Sequence, residues 1–315
     1  MILEIQHETR LQYSEPVTES VAEVRMEPAS DADQSCRSFH LALTPATELH
    51  RYQDGFGNRV HHFDFLAAHD QVRVLGASIV ETHPCPRDPR ASLATYPLEP
   101  ESAELITLDY LVFRGPVRPA PRLTELCNQL RPQAGMPLAQ FVFEVMEHIH
   151  THFEYARDVT HASSPVDDVL EQGKGVCQDF AHLLIAVLRS FNVPARYISG
   201  YIHRPNKESQ SHAWCEVWLP DLGWLGIDPT NNQVVNDHFV KVAVGRDFTD
   251  VPPNKGVYRG RSVESIFVRV ETRQLERLPS LSWQEQLPPL QVPLTAIRPR
   301  VYGDMTPRVE IQEQQ

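Results

Sequence analysis

The run from Cys177 to Phe191 constrains this chain more than any other stretch. Phe180, Ala181, Leu183, Leu184, Ile185, Ala186, Val187 and Leu188 leave almost no polar side along a helix. A helix apolar all round must sit inside a domain, so other elements have to wrap it. Its limits are written beside it: Gly173-Lys174-Gly175 turns the chain in, and Asn192-Val193-Pro194 stops it. Upstream, between residues 137 and 155, Phe141, Val145, Ile149 and His152/Phe153 recur at steps of four, which predicts a helix with one buried stripe. Downstream, Ala195 to Ile202, Ala213 to Leu219 and Trp224 to Asp228 read as strands, the last two joined through Pro220-Asp221-Leu222-Gly223.

This arrangement carries chemistry. Cys177 falls in the first turn of the buried helix, where unpaired N–H groups and peptide dipoles favour a thiolate. The bland alternative is a small buried hydrophobe, as most free cysteines are. His212 opens the strand His212-Ala213-Trp214-Cys215-Glu216-Val217-Trp218-Leu219, so His212, Trp214, Glu216 and Trp218 share one face. Asp228 ends the next strand. In a hairpin whose loop holds an odd number of residues, a condition that five from Leu219 to Gly223 would meet, it lies opposite or diagonal to the start of the first strand, near His212. A thiol, a base and a carboxylate to orient the base are the parts of thiol acyl transfer. His212 would take and return the proton, Asp228 would fix the imidazole, and the Cys177 N–H would be one oxyanion donor. Gln178 and Tyr155 are candidates for a second donor; Trp214, Trp218 and Trp224 read most simply as hairpin core, with Trp214 the candidate for lining a substrate groove.

The rest of the chain is less specific. Residues 1–83 mix aromatic and β-branched residues without helical period, from Ile2-Leu3-Glu4-Ile5 through Tyr52–Val60 to Val72–Glu81, and predict a β-rich domain. Of the 26 prolines, eight fall in residues 84–121, so 84–136 is expected to be a linker with short ordered pieces, among them Leu105 to Phe113. The catalytic core is expected over 137–275. The last stretch, 276–315, has six prolines and reads as a tail that wraps or dangles.

Charge and cysteines exclude some functions. With 29 Lys+Arg against 41 Asp+Glu the net charge is −12, which repels phosphate backbones and argues against nucleic-acid binding. No 18 consecutive apolar residues occur, so no membrane span is expected, and Glu4 and His7 interrupt what a secretory leader would need. The five scattered cysteines, Cys36, Cys85, Cys127, Cys177 and Cys215, read as free thiols in a reducing cytoplasm. His148 and His152 share a helix face but no nearby carboxylate completes a metal site; His61 and His62 point to opposite faces of a strand. No cofactor or metal is called for. Asp179 and His182 are expected to hold the buried helix by hydrogen bonds, and Glu216 to be a structural hydrogen-bond partner.

Gly175-Val176-Cys177-Gln178-Asp179-Phe180-Ala181-His182, Leu188 to Tyr201, Ser211-His212-Ala213-Trp214 and Gly223 to Asn231 resemble, in order, the core of the bacterial transglutaminase-like superfamily. Gly245 to Pro253 resembles a further motif of the bacterial subgroup. His7-Glu8-Thr9 and Asp54-Gly55-Phe56-Gly57-Asn58 resemble that subgroup's N-terminal region. The likeness covers roughly residues 1–270. It implies an α+β chain, with a sandwich-like N-terminal domain before a papain-like cysteine-proteinase core, and a triad of Cys177, His212 and Asp228. Phe191-Asn192 stands where a small residue and glycine are more usual; Asn tolerates the same left-handed conformation. The family holds peptidases, amidases, protein cross-linkers and inactive scaffolds. A thiol hydrolase acting on a peptide or amide through a thioester is therefore the leading expectation. An acyl transferase with the same triad and a non-catalytic binding module are the alternatives.

Overall fold

The computed structural model describes residues 1–83, 88–98, 105–157, 159–161, 163–205 and 210–279. Cys85 and all but the first four residues of the expected tail lie outside them. The chain divides into two compact units.

Of the described residues, unit 1 holds 1–83, 202–205, 210 and 252–279. Its frame is β1 (Ile2–Val24), joined by β2 (Gln34–Thr44), β3 (Leu49–Gln53), β4 (Arg59–Phe65) and β5 (His69–Thr82). The early half of β1 pairs with β5 on one side and with a late strand, here β14 (Glu264–Leu275), on the other. Its later half pairs with β4 and with β13 (Asn254–Arg259). Register shifts between Gln12 and Val17 and between Thr18 and Val21, with Glu19 at φ 51°, let one strand curl from one layer into the next. Leu11, Tyr13, Val24, Phe63, Phe65 and Val74 fill the space between, which makes the unit sandwich-like as expected. The expectation ran a single core from 137 to 275, whereas the chain leaves unit 2 at Val251 and returns to β1.

Unit 2 includes the described residues of the stretch expected to be a linker, from Asp88 on. A 3₁₀ run covers Leu105–Leu111, and α1 (Pro121–Gln129) begins with Pro121, a residue pre-set for a first helical position. Then come α2 (Leu138–His152), β6 (Glu154–Tyr155), α3 (Val166–Gln172), β7 (Lys174–Gly175) and α4 (Cys177–Ser190). The predicted stripe of α2, Phe141, Val145 and Ile149, is buried, and so is every residue of α4 from Cys177 to Arg189. The sheet consists of β8 (Ala195–Ile202), β9 (Gln210–Leu219), β10 (Gly223–Asp228), β11 (Gln233–Val234) and β12 (Phe239–Gly245), in the order β11-β10-β9-β8-β12. At its C-terminal end α4 closes with Asn192 at φ 58°: Val193 N–H reaches Leu188 O and Asn192 N–H reaches Arg189 O, both at 3.0 Å.

Candidate active site

The site starts at the turn into α4. Gly175 is required there, because a Cβ on it would lie 2.8 Å from the Asp179 side chain. That carboxylate reaches back over the turn and accepts from the Val176 N–H at 2.8 Å and the Thr160 hydroxyl at 2.5 Å. Asp179 thus caps the helix that presents the thiol, as expected, and burial raises its carboxyl pKa against the pull of these donors. Cys177 is the first residue of α4, at 1% exposure, where backbone N–H groups lack intrahelical partners.

The strands bring the other two groups to it. Leu219 pairs with Gly223 and Ile227 with Cys215, so three residues, Pro220 to Leu222, form the loop and the parity holds. His212 and Asp228 then meet: Nε2 lies 2.8 Å from Asp228 Oδ2, with the two residues 5% and 0% exposed. A carboxylate only accepts, so Nε2 carries the proton and Nδ1 is the ring nitrogen left for the Cys177 thiol, to which His212 is hydrogen-bonded. Burial opposes the imidazolium, but the charge and hydrogen bond of Asp228, with Cys177 adding to them, raise the His212 pKa to about 10. Burial likewise works against the Asp228 carboxylate. The imidazolium, Asn231 and the Thr230 N–H outweigh it and hold the pKa below the usual range.

Two supports behind the pair were not assigned from sequence. Asn231 donates from Nδ2 to Asp228 Oδ2 at 2.5 Å, and its own N–H and that of Thr230 reach Oδ1 at 3.4 and 3.0 Å. The available signal was Asp-Pro followed by two polar residues, a pattern in which a carboxylate accepts from the turn it begins. His150 of α2 donates from Nδ1 to the Thr230 carbonyl at 3.1 Å and holds this turn from outside. On the far side, Gly200 makes room for Trp214, since a Cβ there would run into Val240 O and meet the indole at 2.6 Å.

The expected binding residues separate. Trp214 is buried, its ring stacked on His212 at 25° and edge-on to Phe239, so it backs the imidazole and does not line an open groove. Tyr155 is exposed beside the helix start, its strand paired with Gly175 and its ring edge-on to Phe180. Gln178 is buried in the first turn of α4, next to the thiol. Glu216 has the structural role expected of it. Buried between Arg196 and Lys241, its carboxyl is destabilised by burial but lowered to about 2 by the two cations, Lys241 first. His148 and His152 stack on each other with ring centroids 4.0 Å apart.

His182 ties the Gly245–Pro253 motif to α4. Its Nε2 accepts the Phe248 N–H at 3.1 Å and its ring stacks on Tyr197. Beyond it, the buried Arg189 donates to the carbonyls of Val112, Ala195 and Arg246. A cleft of about 640 Å³ runs along α2 next to the Asn231 turn; Phe143, Met146, Glu144, Glu147, Gln233 and Val234 are among its walls.

A buried helix carrying a thiol at its start, laid against a sheet whose antiparallel β9–β10 pair carries the histidine and the carboxylate, defines a class of thiol-bearing α+β protein. The chain belongs to the transglutaminase-like superfamily: residues 124–229 match the transglutaminase-like superfamily core and residues 3–81 the bacterial transglutaminase-like N-terminal region. It is similar over its length to an uncharacterized protein of Mycobacterium leprae, at 33% identity over 87% of this chain and 99% of that one. A protein-glutamine gamma-glutamyltransferase of Pseudomonas aeruginosa is 30% identical over 36% of this chain, but over only 19% of that much longer protein. The fold matches a solved structure of a candidate cysteine protease from Cytophaga hutchinsonii, with a TM-score of 0.72, 21% identity and coverage of 89% of this chain and 93% of that one.

Proposed function

We propose that the protein is a thiol-dependent amide or peptide hydrolase in which Cys177, His212 and Asp228 act together. The observation that carries this reading is the placement of His212, with Nε2 on Asp228 and its remaining nitrogen for the thiol at the start of α4. Cys177 Sγ attacks the carbonyl carbon of the amide while its proton resides on His212, and charge develops on the carbonyl oxygen near the Cys177 N–H. His212 passes that proton to the departing amine, the C–N bond breaks, and a thioester remains on Cys177. Water then adds to the thioester with His212 as base, the C–S bond breaks, and the carboxylic acid leaves. We place its action in the cytoplasm, a reading supported by four cysteines outside any disulfide among the described residues.

A second reading replaces water by an amine in the last step, and the similarity to a protein-glutamine gamma-glutamyltransferase favours it over any unrelated chemistry. A scaffold without catalysis would have no need of the His212–Asp228 contact. Intact-mass analysis after incubation with a lysate distinguishes the readings. Wild type should carry thioester adducts that Cys177→Ala lacks, released as acid in buffer and as amide only when cadaverine competes. Equal adducts on both proteins would refute the proposal.

A further inference from the structure

Asp228 is buried among groups that include no lysine or arginine paired with it among the described contacts, so its charge depends on hydrogen bonds and on His212. The carboxylate has two edges. Oδ1 is held by backbone, from Thr230 and Asn231 at 3.0 and 3.4 Å. Oδ2, the oxygen that faces the imidazole, receives only one further described donor, the Asn231 side-chain amide at 2.5 Å. That amide also lies 3.5 Å from His212 Nε2, so it sits against the His–Asp hydrogen bond itself. Its orientation is fixed by chemistry: the NH₂ end must face the carboxylate, because the carbonyl end would repel it. The backbone that delivers it is preset, with Asn232 in the left-handed region at φ 50° and His150 gripping the Thr230 carbonyl.

We propose that Asn231 is a positioning residue for the reaction, whose side-chain amide keeps Asp228 charged and aimed so that His212 holds its proton on Nε2 and offers Nδ1 to Cys177. The inference rests on the function proposed above and extends it to a fourth residue. Without the amide, Oδ2 keeps a single donor in surroundings that already disfavour the charge. The carboxylate then takes up a proton more readily or turns from the ring, and either change weakens the support of the imidazolium.

The test follows the ring directly. In ¹⁵N-histidine-labelled full-length Cys177→Ala protein, the His212 nitrogens are followed by NMR through a pH titration, with and without Asn231→Ala. Removing the thiol leaves one titration to read. With Asn231 present, His212 should hold its proton well above the ordinary value near 6.5. With Asn231→Ala the transition should move to lower pH by about one unit, a tenfold change in proton affinity. Asn231→Asp, which keeps the shape but replaces the donor with a second carboxylate, should displace the Asp228–His212 bond and broaden or abolish the Nε2–H signal even if the alanine variant folds poorly. An unchanged titration and unchanged Nε2–H signal in folded Asn231 variants, with only a lower melting temperature, would overturn the positioning role. A His212 that titrates near 6.5 while Asn231 is present would instead overturn the function proposed above.

Discussion

His182 and His212 are deprived of water to nearly the same degree, at 1% and 5% exposure, and each lies stacked against an aromatic ring, Tyr197 and Trp214 respectively. Their protonation tendencies are opposite. Burial, with Arg189 adding to it, lowers the His182 pKa to about 3, whereas Asp228 overcomes burial and raises that of His212 to about 10. The difference lies in what meets Nε2. At His182 a backbone N–H points at it, so the nitrogen must accept and the ring stays neutral. At His212 a carboxylate meets it, so the nitrogen must donate and the second nitrogen is left for the thiol. Burial therefore sets how much a neighbour matters, and the neighbour sets which way the histidine goes. One of these rings is a strut; the other has the arrangement that the proposed function uses for proton transfer.

The same substitution at both positions tests that contrast. His212→Leu should lower turnover by about 10³-fold or more, because in the proposed function it removes the group that moves the proton. His182→Leu should leave turnover of the folded protein within about tenfold. Its cost is structural, about 1–2 kcal/mol in denaturant unfolding, since the Phe248 N–H is left buried without an acceptor. Comparable losses of turnover from both variants would break the distinction.

Stability against pH sharpens it. A raised folded-state pKa contributes stability that is complete below about 6.5 and is lost as pH rises toward 10, which is the case for His212. A lowered one contributes stability that is lost as pH falls from about 6.5 toward 3, which is the case for His182. Relative to wild type, His212→Leu should flatten the alkaline fall in stability and His182→Leu the acid fall. Each slope is bounded at about 1.4 kcal/mol per pH unit, as read by urea unfolding across pH 4–10.

Smaller effects are expected one layer out. Gly200→Ala forces Trp214 and the Val240 backbone apart and should cost about 1–3 kcal/mol, with some loss of turnover because the indole supports His212. At the far end of α4, Asn192→Ala puts an ordinary side chain into a left-handed conformation and should cost about 1 kcal/mol by thermal melting. Neither titration should change, because that end carries no chemistry.

The helix, the stripe of α2 and the His212–Asp228 register were legible because each follows from local period: 3.6 for the helices, 2 for the strands, and loop parity for the hairpin. What escaped depends on partners distant in sequence. Nothing in residues 254–275 states that they will pair with β1, since pairing across more than 200 residues leaves no local pattern. Prolines around Pro121 read as a break, although a proline in first position begins α1. Arg189 looks like the charged end of a helix, and only the fold shows three carbonyls converging on it. Asn231 was visible as part of a motif but had no role until its amide was seen on the oxygen shared with His212.

The most direct test of the central claim is competition among thiols in the folded protein. Cys36 is more exposed than Cys177, yet burial and the nearby Glu27 push its thiol up to about 11; burial also pushes up the thiol of Cys215, which donates to the Ala181 carbonyl. With limiting iodoacetamide and peptide mass spectrometry between pH 5 and 9, the account predicts that Cys177 is labelled ahead of Cys36, Cys127 and Cys215. His212→Leu should abolish that advantage, because it removes the base that takes the thiol proton. Labelling that follows exposure, with Cys36 first and Cys177 no faster than Cys215, would contradict it.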